Sequence, residues 1–238
     1  SARGREGRRG AELVPRRPPV RLGAAGTEEM RVKTVLIANR KGGVGKTTIA
    51  VTLATALADG GWKVGLADAD PQRSTARWLE RRPKGAVEVA AVDWDSPKTL
   101  AKAPGRLDWL VVDSPGALES DSAKALVAEA RALVCPVLPS VFDADSTRRF
   151  LDELAELKRV RKGKVEVYLV ANRLRPRDLG TARFEGFFGE VGQAPVARLS
   201  ERVAYADLAE QGLSVFDKPQ AVYRPLRRQW DPLIRAVV

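Results

Sequence analysis

The sequence predicts a single-domain α/β fold: a mostly parallel, twisted sheet with helices on both faces. Three observations predict it. Short apolar, β-branched runs alternate with helical stretches along the chain. The first of these runs is apolar nearly throughout, as a strand buried on both faces should be. A glycine-rich turn joins the first strand directly to the first helix. At 238 residues the chain can bury a substantial core, and it shows no internal repeat and no second domain.

The elements follow in order. VKTVLIA (32–38) reads as a buried-type strand, and a helix is expected from Gly45 to about Asp59. KVGLAD (63–68) is a strand, followed by a helix around 74–82. VEVAAV (87–92) and DWLVVD (108–113) are strands, and a helix at 120–131 precedes the strand ALVCPVL (132–138). A long amphipathic helix is expected over 145–161, where Phe150, Leu151, Leu154 and Leu157 share a face. VEVYLVAN (165–172) is another strand, with helical stretches at 177–190 and 200–211. The end, 219–236, carries Leu226, Trp230 and Leu233 at helical spacing, with a kink expected at Pro232.

Residues 1–29 lack hydrophobic periodicity and are rich in Gly, Pro and Arg, so a disordered basic tail is expected ahead of a domain spanning 30–238. Met30, the only methionine, stands directly before the first strand. Two readings of the tail stand: a natural start at Met30 with non-native or upstream residues before it, or a native basic arm that touches nucleic acid. The first is favoured. Net charge is +11 for the chain and +8 for residues 30–238, which hold 34 basic and 26 acidic residues. Such a balance suits nucleic acid or anionic membrane without choosing between them. There is no histidine, which removes the commonest general base and zinc ligand and excludes histidine-dependent hydrolase chemistry. The single Cys135 permits no internal disulfide. No apolar run reaches the roughly 18 residues of a membrane span, and nothing resembles a signal peptide. A cytoplasmic protein is expected.

Chemistry concentrates in NRKGGVGKTT (39–48). Gly45-Lys46-Thr47 closes the phosphate-loop template G-x-x-x-x-G-K-[ST]. Arg40 stands where the template has its first glycine, and a second lysine, Lys41, follows it. Gly42, Gly43 and Gly45 let the backbone wrap closely, so that loop N–H groups, Val44 among them, point at phosphate oxygens. Lys46 is expected to bridge the β- and γ-phosphates, Thr47 to ligate Mg²⁺ through its hydroxyl, and Thr48 to complete the nucleotide-binding run. The fold class thereby narrows to a P-loop NTPase. The strand before it and the helix after it favour this reading over a ligand-free glycine turn.

KGGVGKTT resembles the deviant Walker A loop of the ParA/MinD family of P-loop ATPases. In that family the earlier lysine reaches across a dimer interface to the partner's ATP, and the missing first glycine is usual. The resemblance gives that catalytic role to Lys41. The physics supports it, because phosphoryl transfer is catalysed largely by positive charge placed where negative charge develops. DADPQRST (68–75) resembles the family's switch I, so Asp70 would orient the attacking water and help hold the hydrated Mg²⁺, with Asp68 structural. Arg73 occupies a position that is often glycine in the family. WLVVDSPG (109–116) supplies Asp113 as the Walker B carboxylate acting on Mg²⁺ through water, and Gly116 as a switch II sensor of the γ-phosphate. VANRL (170–174) matches the family's strand-end Asn-Arg, so Asn172 would read the adenine, with Arg173 alongside. Residues 199–217 resemble the segment that ends in a loop near the base. The likeness covers nearly all of 31–238, with the motifs in the family's order.

Four classes share this loop. An iron–sulfur protein needs two cysteines per subunit at the dimer interface, and one exists. A biosynthetic amidotransferase or synthetase would need a substrate motif, and none is visible. A MinD-like, membrane-cycling ATPase needs a C-terminal lipid-binding helix, and it stands as the alternative reading. The stripe Leu226, Trp230, Leu233, Val237 reads more economically as a core-packing helix. The favoured reading is a ParA-like ATPase: a slow, switch-type enzyme, homodimeric with ATP and Mg²⁺, that binds DNA without sequence preference. It would be nucleoid-associated in a bacterium, without stable membrane association, and would position a cargo through a ParB-like activator or adaptor. Arg198, Arg202, Arg224, Arg227 and Arg228 are the candidate DNA contacts. The run KRVRKGK (158–164) is either a further contact or a solvated helix end.

Overall fold

Seven strands of mostly apolar sequence, three to nine residues long, meet in one sheet in the computed structural model, which describes residues 32–93, 107–115, 121–138, 140–175 and 182–238. The expected tail and Gly116 lie outside the described residues. The strands are β1 (Lys33–Ile37), β2 (Val64–Asp68), β3 (Ala90–Val92), β4 (Trp109–Asp113), β5 (Ala132–Val137), β6 (Glu166–Leu174) and β7 (Ala197–Ser200). Their order is β3-β2-β4-β1-β5-β6-β7, and every ladder is parallel.

That order creates the site. β1 and β4 are neighbours, yet the chain leaves β1 towards β2 on one side and leaves β4 towards β5 on the other. A crevice therefore opens above their C-terminal ends, the place where open α/β sheets bind ligands. The register sets Asp113 beside Ile37 of β1 and beside Asp68 of β2. Three strand ends thus deliver the phosphate loop and two carboxylates to one edge.

Helices cover both faces. α1 (Lys46–Asp59) and α2 (Ser74–Glu80) share the first core with α7 (Val203–Glu210), α8 (Arg224–Arg228) and α9 (Asp231–Val237). α3 (Asp121–Glu129), α4 (Val141–Glu156), α5 (Lys158–Arg161) and α6 (Ala182–Val191) lie on the second. The α1 residues from Ile49 to Leu57 are all buried, as a helix apolar nearly all round must be. Each buried Leu or Ile there contributes roughly 1.5–3 kcal/mol. Thr55, inside this helix, satisfies its hydroxyl by donating to the Val51 carbonyl at 2.8 Å.

Four expectations need correcting. The helix expected over 145–161 begins at Val141 and breaks at Leu157, whose ψ of 124° is extended. Leu157 and Val160, on either side of the break, both pack against the second core. The stretch 219–236 is two helices rather than one kinked helix. Pro232 has no N–H to donate and sits in the first turn of α9, where none is needed. β7 escaped the sequence reading because only Ala197 and Leu199 mark it as apolar. The strand expected over 87–92 is paired only from Ala90. Leu226, Trp230, Leu233 and Val237 are all buried in the first core, as the core-packing reading expects. No helix among the described residues is long and apolar enough to cross a membrane.

Candidate nucleotide site

The loop after β1 wraps as its glycines dictate. Gly43 and Gly45 have φ of 75° and 92°, a region that side chains rarely adopt. At Gly45 there is also no room: a Cβ would stand 2.5 Å from Nδ2 of Asn172. Asn172 uses that nitrogen to donate to the Val44 carbonyl at 2.8 Å, bracing the loop from β6. A Cβ on Gly42 or Gly43 would meet nothing within 4 Å, so the loop's rim is open. Thr48 follows in the first turn of α1.

Two lysines meet at this rim. Lys46 is buried to 8% exposure, and its Nζ donates to the Lys41 carbonyl at 3.4 Å. The Lys41 N–H in turn donates to Oδ1 of Asn39 at 3.1 Å. Asn39, 1% exposed, donates through Nδ2 to the Pro136 carbonyl at 2.7 Å and to Oγ1 of Thr147 at 3.2 Å. The Lys41 turn is thereby tied to the end of β5 and to α4. Arg40, standing where the template has glycine, carries a surface ion pair to Glu153 of α4 at 2.5 Å. Asn39 was missed from sequence; a polar residue directly after a buried strand was its only signal.

The carboxylate edge lies beside the loop. Asp113 is 1% exposed, and its Oδ2 accepts from Thr47 and from Thr75, each at 2.7 Å. Its Oδ1 is buried and has no hydrogen-bond partner among the described residues. Burial pushes the Asp113 carboxyl up to about 6; the Thr75 and Thr47 hydroxyls pull against that rise, Asp68 adds to it, and Lys46 opposes it. A buried carboxylate oxygen that no described donor claims, next to a hydroxyl and an ammonium, suits a hydrated divalent cation carried in on phosphates. Among the described residues no cluster of three or more His, Cys, Asp or Glu forms a cage for a metal by itself. Magnesium usually binds in that sparse way, through one or two protein groups plus nucleotide oxygens and water.

The switch-I-like turn is organised by Asp68. Its Oδ1 accepts the Asp70 N–H at 3.0 Å and its Oδ2 the Ala76 N–H at 2.8 Å, the structural part expected of it. Asp70, partly exposed, caps the turn by accepting the Gln72 N–H at 2.9 Å. Arg73 has φ 52°, which explains why glycine suits this position: the turn needs the left-handed region. Arg173, φ 53°, sits where the β6–β7 register shifts between Ala171 and Leu174, and its Nε lies 3.9 Å from where a Gly45 Cβ would be. The segment 199–217, by contrast, ends against the C-terminal end of α2. Gly212 and Asp217 accept from Arg82, and the Leu213 carbonyl accepts from Trp78. Those contacts put its last residues on α2 and not on Asn172.

The candidate DNA contacts fall in two places. Arg198 is exposed on β7 but is bound by both oxygens of Glu185 of α6, which holds that carboxyl below its usual range. Arg202 follows the C-terminal end of β7, and Arg224, Arg227 and Arg228 lie on α8. Ser200 and Gln229 join these segments: Oε1 of Gln229 accepts the Ser200 N–H at 2.8 Å. The joined pair lies at the edge of the sheet that carries the phosphate loop, because all strands run parallel and β7 ends there. Residues 158–164 precede β6 and so lie at the opposite edge.

Comparison with known proteins agrees with this geometry. Residues 35–215 match the CobQ/CobB/MinD/ParA nucleotide binding domain. The chain is 34% identical over 189 residues to the maintenance of carboxysome distribution protein A of Halothiobacillus neapolitanus, spanning 77% of this chain and 86% of that protein. Among solved structures it resembles the MinC:MinD cell division protein complex of Aquifex aeolicus, with a TM-score of 0.69, 21% identity, and 87% and 95% of the two chains covered. It resembles the Cyanothece McdA(D38A)–ATP complex with a TM-score of 0.67 at 18% identity, covering 87% and 95% of the two chains. With a parallel sheet that delivers a doubled-lysine phosphate loop and a buried carboxylate to one crevice, and with three quarters of its length matched, the chain belongs to the CobQ/CobB/MinD/ParA nucleotide-binding domain family, as a ParA/MinD-type ATPase.

Proposed function

We propose that this ATPase is a positioning switch: with ATP it dimerises and binds DNA without sequence preference, and hydrolysis, stimulated by a ParB-like adaptor, releases it. The observation that carries this reading is the joining of Arg202 to α8 through Ser200 and Gln229 at the nucleotide edge. That bond holds together two basic segments far apart in sequence, which supports a shared basic surface. Non-specific DNA binding needs such a surface, since its affinity comes from neutralising phosphates.

The site roles follow. Lys46 and the loop N–H groups hold the β- and γ-phosphates, Thr47 and Asp113 serve the magnesium, and Asp70 orients the attacking water. Asn172 and Arg173 face the base. Lys41, held at the rim by Asn39, supplies its ammonium to the partner's triphosphate. Relatives are named for carboxysome distribution and chromosome partition, which supports a large body as the cargo. The MinD-like alternative would need an apolar face for lipid, and the apolar stripe of α8 and α9 is already spent on the core.

Co-sedimentation with DNA and with anionic liposomes, in ATP, ADP and no nucleotide, tests the reading. DNA binding only with ATP is the expected result. Liposome binding with ATP, without DNA binding, would replace it with the membrane-cycling alternative.

A further inference from the structure

Thr75 was not singled out by its sequence, yet it makes the second of the two hydrogen bonds that fix Asp113. It lies in the first turn of α2, is fully buried, and donates to Oδ2 at 2.7 Å. Thr47 donates to the same oxygen from α1. Both donors converge on one oxygen, and the other, Oδ1, is buried and unclaimed among the described residues. A carboxylate held on one oxygen only by two hydroxyls has its rotamer fixed and its second oxygen reserved.

We propose that Thr75 is a positioning residue for the magnesium–nucleotide site: its hydroxyl holds Asp113 by Oδ2 so that Oδ1 is left to serve the hydrated cation. The same bond ties α2 to that site. Asp68 reaches α2 as well, through the Ala76 N–H, and it also holds the Asp70 turn. The turn that carries the water-orienting aspartate and the carboxylate that serves the metal are therefore fastened to one short helix. The hydroxyl, not the volume, is the working part, because valine would fill the same space without a donor. Partners of metal-serving groups outside the ligand set commonly govern metal affinity in this way.

The inference rests on the Mg²⁺–nucleotide reading of the site, so its test separates the two. Binding of a fluorescent, non-hydrolysable ATP analogue to the full chain is followed as Mg²⁺ is titrated from EDTA, for wild type, Thr75→Val, Thr75→Ala and Thr75→Ser. Thr75→Val and Thr75→Ala should each need about tenfold more Mg²⁺ for half-saturation, while binding in EDTA changes less than about twofold. Thr75→Ser, which keeps the donor, should follow wild type. Thr75→Ala serves if the valine variant fails to fold. Wild-type Mg²⁺ dependence in the valine or alanine variant overturns the proposal, and so does a serine variant as impaired as they are. If wild type itself binds no analogue at any Mg²⁺ concentration, the site reading fails and takes the proposal with it.

Discussion

Thr47 of α1 and Asp113 of β4 are joined by a 2.7 Å hydrogen bond across the crevice between β1 and β4. That bond pulls the Asp113 carboxyl down, yet burial outweighs it and leaves the group at about 6 against an ordinary 3.8. Because the folded value is the higher one, the fold favours the protonated acid. The stability this gives is complete below about 3.8 and is lost as pH rises through about 6. At one pKa unit per 1.36 kcal/mol, the loss is roughly 3 kcal/mol. Without nucleotide, Asp113→Asn should therefore be more stable than wild type by roughly 2–3 kcal/mol at neutral pH, with the gap closing towards pH 4. Urea unfolding across that range checks it. A gap independent of pH would contradict the burial argument.

Gly45 and Asn172 form the next test. A Cβ at Gly45 would strike the nitrogen that Asn172 donates to Val44, at a φ that alanine avoids. Gly45→Ala should weaken ATP binding strongly in a calorimetric titration. Asn172→Ala should weaken it by about tenfold, one to two kcal/mol for a lost hydrogen-bonding group, and narrow the preference for ATP over GTP. An unchanged preference would remove Asn172 from the base.

Lys46 and Lys41 should separate cleanly. Lys46→Ala should lower nucleotide affinity by about a hundredfold, as loss of a charge-assisted contact does. Lys41→Ala should still bind ATP but fail to hydrolyse it. Equal loss of binding in both variants would mean that both lysines serve one protomer's nucleotide.

The basic surfaces give a fourth prediction. Changing Arg227 and Arg228 together to Glu should abolish DNA binding and spare ATP binding. Reversing Lys162 and Lys164, at the other edge of the sheet, should leave DNA binding intact. Wild-type DNA affinity should fall about a thousandfold between roughly 50 and 200 mM salt if about six phosphates are neutralised. A flat salt response would contradict the electrostatic mechanism.

Strand and helix order was readable because the strands are apolar runs and the loop is a motif, both local signals. Asp113 and Asn172 could be singled out because each follows an apolar run and stands in a family motif. What could not be read was set by distant pairing. Thr75 and Asn39 matter only because the fold brings them to Asp113 and to Pro136 and Thr147. The union of Arg202 with α8 depends on Gln229 reaching Ser200. Arg198, attractive in sequence, meets Glu185 through folding alone. The break at Leu157 likewise leaves no mark in the helical period.

Light scattering on the Asp70→Ala protein, eluted with ATP and Mg²⁺ and again with ADP, addresses the proposed switch most directly. A dimer with ATP and a monomer with ADP is expected, and adding Lys41→Ala should return the ATP-bound protein to monomer. A monomer in ATP, or a dimer indifferent to Lys41, would contradict a nucleotide shared between two copies.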